Sequence, residues 1–145
     1  MNFILTEMTF LRYFIPVILE GNNKNIKSTI YVGRSGKYNC PQKHIEVIKE
    51  LSKEYNFKIE DVENLKNSKN INFSIEACGI NYSSDGSKNI VLTYQNDFRN
   101  KSSTNGKSNY HKFLDKVEYV VFPSLFFAEH YGCVSDKNLY FGSPK

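Results

Sequence analysis

Two short stretches of this 145-residue chain carry side chains able to do chemistry. The first is Thr6-Glu7, directly after the apolar run Phe3-Ile4-Leu5. A carboxylate placed there can take a proton from a hydroxyl group as a general base. In the first turn of a following helix it would instead complement the helix dipole. The second is Gln95-Asn96-Asp97 with Arg99, which ends the segment Lys88–Arg99, KNIVLTYQNDFR. Amides, a carboxylate and a guanidinium in that order suit hydrogen bonds to sugar hydroxyls or a phosphate. An ordinary polar loop after a strand has the same composition.

The elements around these stretches decide whether they can meet. Ile90-Val91-Leu92 is a β-branched apolar run, as a strand buried on both faces should be. Phe3–Thr6 reads as a short buried strand and Glu7–Leu19 as a helix, with Thr6 or Thr9 as its cap. Pro16 should kink or restart that helix, and Gly21-Asn22-Asn23 should stop it. Ile26–Gly33 reads as a second strand. After the polar loop Arg34–Asn39, Pro41 opens a helix over Gln42–Tyr55, with Ile45, Ile48, Leu51 and Tyr55 on one face. Phe57–Leu65 fits either a third strand or a short helix begun by Glu60-Asp61. Ile71–Ile75 alternates as a strand, followed by turn chemistry centred on Ser83-Ser84-Asp85-Gly86. That connection is too short for a full crossover helix, which argues against a parallel pairing of Ile71–Ile75 with the next strand. Asn100–Ser108 is a flexible polar loop and Tyr110–Leu114 one or two helical turns. Val117–Phe122 is a strand, Ser124 caps a helix over Leu125–Tyr131, and Asn138–Phe141 is a last strand.

Strands that alternate with helical patterns predict an α/β, Rossmann-like fold: a mostly parallel sheet with helices on both faces. One domain over residues 1–145 suits this length, and 40% hydrophobic residues suffice to fill its core. In a doubly wound order the first strand would lie beside Asn89–Tyr94. The loops Thr6–Arg12 and Gln95–Arg99 would then meet at the topological switch point, where such sheets bind ligands. Arg12 joins Glu7 on the first of those loops.

Several function classes are excluded by what is missing. There is no GxGxxG after the first strand, no GxxxxGK[ST] and no GxSxG. The net charge of +4 comes without an arginine cluster or a basic stripe, so nucleic acid is not an expected partner. The N-terminal run is too broken by Glu7 and Arg12 for a signal peptide or a transmembrane segment. Cys40, Cys78 and Cys133 are odd in number and lack CxxC spacing, which points to a reducing cytoplasmic setting rather than to disulfides or zinc. No carboxylate pair has metal-ligand spacing, so no metal or other cofactor is expected. His44 reads as a solvated helix residue, and His130 as a cation near a helix C-terminus.

A resemblance adds to this. Asn2-Phe-Ile-Leu-Thr-Glu7 followed by Phe10-Leu-Arg-Tyr-Phe-Ile-Pro16 resembles the opening strand and helix of GT-B type glycosyltransferases. Ile90–Arg99 occupies the place where CDP-glycerol glycerophosphotransferase-like proteins carry a strand ending in Trp-His-Gly. This chain departs there, with Thr93-Tyr94-Gln95-Asn96-Asp97, so no base histidine carries over. Val117–Ser124 resembles the next family strand, which ends in serine, and Gly142-Ser143-Pro144-Lys145 the turn that leads to a second domain. The resemblance implies the N-terminal, acceptor-side half of a two-domain enzyme, with a sugar or polyol acceptor. The nucleotide-activated donor would be held by a C-terminal domain that this chain lacks. On this reading Glu7, placed by its position after the first strand, is the expected catalytic base, and Thr6, Arg12, Gln95, Asn96, Asp97, Arg99 and Ser124 are the expected substrate-binding residues. The UDP-N-acetylglucosamine 2-epimerases share the two-domain plan. A non-enzymatic α/β interaction module is the alternative of another class, permitted by the many tyrosines and phenylalanines.

Overall fold

The computed structural model describes residues 1–33, 40–67, 70–75, 88–93, 114–130 and 132–140. Among them seven strands form one all-parallel sheet: β1 (Asn2–Leu5), β2 (Thr29–Val32), β3 (Lys58–Asp61), β4 (Asn72–Ile75), β5 (Asn89–Leu92), β6 (Tyr119–Phe122) and β7 (Asn138–Tyr140). Their spatial order is β3-β2-β1-β4-β5-β6-β7. The chain steps outward from β1 to β3, then returns to the other side of β1 and steps outward again. This is a doubly wound, Rossmann-like sheet with its switch point between β1 and β4.

Among the described residues three helices accompany the strands: α1 (Leu11–Asn23), α2 (Gln42–Tyr55) and α3 (Leu125–His130). Register assigns them to faces, because partners in a parallel ladder share a side of the sheet. Phe3, Leu5, Ile30 and Val32 lie on one side and pack with Phe14 and Ile18 of α1 and Ile48 of α2. Ile4, Ser74, Val91 and Val120 are successive partners on the other side. There Val91, Val120 and Phe122 pack with Ala128 of α3, while Ile4 and Tyr31 meet Val62 and Leu65 of a 3-10 helix at Val62–Asn67. Helices therefore cover both faces. Among the described residues no helix is long and apolar enough to cross a membrane.

Three expectations are corrected. The first strand does not neighbour Asn89–Leu92; β4 stands between them. β4 and β5 do pair in parallel, so the connection over 76–88 is long enough for a crossover, which needs about a dozen residues. Helix α1 runs through Pro16 and on past Gly21 to Asn23. A 3-10 turn at Met8–Phe10 precedes it, so the helix starts later and ends later than the periodicity indicated. Gly21 is buried, and a Cβ there would lie 2.5 Å from the terminal methyl of the flexible Met1 side chain, which would have to turn aside. Phe57–Leu65 holds both of its alternatives in succession, a strand and then a 3-10 helix. Helix α2 occupies the residues that its pattern marked, and Asn56 ends it in the left-handed conformation at φ 53°. The expected loops Arg34–Asn39 and Asn100–Ser108, the turn at Ser83–Gly86, the closing Gly142–Lys145, and Gln95, Asn96, Asp97 and Arg99 lie outside the described residues.

Candidate functional site

The carboxyl end of β1 opens into a hollow of about 370 Å³, lined by Leu5, Thr6, Glu7, Met8, Thr9, Cys40, Pro41 and His44. Two βα units build it. The first supplies Thr6 and Glu7 where β1 ends. Glu7 is extended at φ −139°, ψ 141°, and its carbonyl accepts the Phe10 N–H at 3.0 Å, starting the 3-10 turn. Neither Thr6 nor Thr9 caps a helix. Instead the Thr9 hydroxyl donates to Glu7 Oε2 at 3.4 Å, at the limit of a hydrogen bond. Glu7 is exposed and Thr6 half-buried, so the carboxylate is reachable from solvent.

The second unit runs from β2 into α2. The Cys40 N–H donates to the Gly33 carbonyl at 2.8 Å, tying the start of α2 to the end of β2. Pro41 follows, and its carbonyl accepts from the N–H groups of His44 and Ile45 at 2.8 and 3.2 Å. That first turn turns His44 toward the hollow, where it is half-buried rather than fully solvated. Burial pushes the Cys40 thiol above its ordinary value, the opposite of what an activated nucleophile needs. Cys40 is therefore a wall of the hollow, which Glu7 lines with a carboxylate and His44 with an imidazole. No trio of His, Cys, Asp or Glu among the described residues is placed to hold a metal ion.

The other expected site residues divide. Arg12 lies in the first turn of α1, exposed, with its guanidinium 4.8 Å from the Tyr13 ring centroid and Nη2 donating to the Tyr13 hydroxyl at 2.7 Å. It does not line the hollow. Ser124 follows β6, three strands from β1, and its Oγ accepts the Phe127 N–H at 3.2 Å as the cap of α3. With β4 beside β1, the loop that shares the switch point with Thr6–Arg12 is the one after Ile75, not the one after Leu92. His44 and Cys40 are the residues that sequence reasoning missed. Their signal was present: Pro41 marks the start of α2, and in a βα unit the first helical turn sits at the carboxyl edge.

A second hollow of about 360 Å³ lies at the opposite edge, lined by Asn22, Asn25, Lys27, Ser28, Asn56 and Lys58 among others. It sits where α1 and α2 end, away from the carboxyl ends of the strands. The carboxyl-edge hollow is the better candidate, because it joins a switch-point strand to a carboxylate and an imidazole. No protein-family model, curated protein or solved structure matches this chain.

Proposed function

We propose that this domain is the acceptor-binding half of a GT-B-like glycosyltransferase or glycerophosphotransferase that works with a second, nucleotide-binding domain. The observation that carries the reading is Glu7 at the carboxyl end of the first strand, on the rim of a hollow shared with Thr6, Thr9 and His44. A sugar or polyol hydroxyl seated there would hydrogen-bond to the threonines and give its proton to Glu7. The acceptor oxygen would form its bond to the anomeric carbon or phosphorus of the activated donor, and the bond to the nucleotide's leaving phosphate would break. A cytoplasmic setting goes with this chemistry.

Titration of the chain with glycerol and with glycerol 3-phosphate, followed by amide chemical shifts, tests the location. Shifts are expected at Thr6–Thr9 and Cys40–His44. Perturbation confined to the amino-edge hollow, or none at all, overturns it. In the complete enzyme Glu7→Gln should lower turnover at least about a hundredfold, the lower range for a general base, with folding unchanged because Glu7 is exposed. A near-normal rate would leave Glu7 a structural residue.

One observation favours the interaction module as a second reading. Leu125, Phe126 and Val134 are exposed, Phe126 at 76%, around the short helix α3. If that surface is the function, Phe126→Ser should abolish partner capture while leaving ligand shifts at Glu7 intact.

A further inference from the structure

A chain of buried asparagines crosses the middle of the sheet. Asn2, Asn72 and Asn89 begin β1, β4 and β5 and are in mutual register. Asn2 Nδ2 donates to Asn72 Oδ1 at 2.8 Å, and Asn72 Nδ2 donates to Asn89 Oδ1 at 3.2 Å. Asn89 Nδ2 then donates to the Lys116 carbonyl at 2.9 Å, just ahead of β6. All three residues are at least nine-tenths buried. Register places them on the side of the sheet that carries Ile4, Val91 and α3.

We propose that this asparagine ladder is the device that sets the register of the three central strands. The apolar pattern cannot do so. A sheet with one wet face rejects a one-residue slip, because the slip turns its apolar side chains to water. Here every residue of β1 is buried, and β5 reads Ile-Val-Leu, apolar on both sides. β4 reads Asn-Phe-Ser-Ile, so a slip of one residue would carry Phe73 and Ile75 to the other buried face and a slip of two would keep them on their own; burial alone does not choose among these registers.

The amides do oppose it. A slip of one residue moves Asn72 to the opposite face, among Phe3, Phe14 and their neighbours, where its amide meets no polar partner. A slip of two keeps the face but breaks both amide contacts. The Lys116 carbonyl makes the ladder directional, since it seats β5 beside the entry to β6. A single buried asparagine sets register in this way in coiled coils.

The test separates register from stability. In the triple variant N2L/N72L/N89L the amides are replaced by apolar groups, so burial is kept and specification is removed. Two-dimensional amide spectra should then show doubled or broadened resonances in β1, β4 and β5, while circular dichroism retains the α/β signature. A single dispersed set with native inter-strand contacts overturns the proposal. Should the triple variant not fold, Asn72→Ala is read in the same way. A second set of β4 resonances supports a register role. One native-register set at a lowered melting temperature means that the ladder adds only stability. Under the proposal, β4 amide protection should also fall at least about tenfold in Asn72→Ala, as expected when two hydrogen bonds are lost.

Discussion

At the residue scale, the division of labour follows solvent access. Glu7, which can move a proton, is exposed at a rim. The asparagines, which cannot titrate, are buried and hydrogen-bonded in series. Ser28 breaks the pattern: it is 2% exposed, and its hydroxyl has no hydrogen-bond partner among the described residues. An orphaned buried hydroxyl costs about 1–3 kcal/mol. Ser28→Ala removes it with little change of shape, so we expect a gain of about 1 kcal/mol in denaturant-unfolding stability. A loss on urea titration would mean that the hydroxyl is in use. Lys137 shows the opposite economy. Its ammonium donates to the carbonyls of Leu114 and Val117 at 2.6 and 2.8 Å, holding the short 3-10 turn at Leu114–Lys116 against the approach to β7.

At the scale of elements, α1 is held by its packing more than by its own chemistry. Its first turn has no side-chain cap, and Pro16 inside it leaves it one backbone hydrogen bond short. It stays continuous because Leu11, Phe14 and Ile18 are buried in the core, with Phe14 tilted against Phe3 at a centroid distance of 5.1 Å. Pro16→Ala restores the missing donor and removes the ring clash. It should raise stability by up to about 3 kcal/mol, read as a higher midpoint in guanidinium. An unchanged or lower midpoint would show that the half-buried ring contributes as much by packing as it costs the helix. Phe3 itself is sandwiched between Phe14 and Phe73, the latter stacked at 5.2 Å. Phe3→Ala should therefore cost about 3–5 kcal/mol, whereas Phe126→Ala, at a largely exposed side chain, should stay within about 0.5 kcal/mol.

At the scale of the whole molecule, the sheet is strongest at its centre. β1, β4, β5, β2 and β6 each pair on both sides, while β3 and β7 pair on one among the described residues. β3 shows water the charged side chains of Lys58 and Glu60. Charge discourages pairing with another chain. Hydrogen exchange should rank the strands accordingly, with β1 and β4 the slowest amides and β3 and β7 the fastest. Equal protection of β7 and β1 in exchange followed by mass spectrometry would contradict this ranking.

The α/β class, the span of α2 and the strand at Asn89–Leu92 could all be read from the chain alone, because each rests on a local period or a local apolar run. Glu7 at the end of the first strand followed from the same logic. The seat of β4, the passage of α1 through Pro16, and the placing of His44 and Glu7 on one hollow were settled only by the tertiary structure. Strand order depends on contacts between residues about seventy positions apart, such as Asn2 with Asn72, which no window along the sequence contains. Where both faces of a strand are buried, the hydrophobic pattern does not say which strand lies next to it. Hydrogen bonds between distant amides do, and they exist only once the chain has folded.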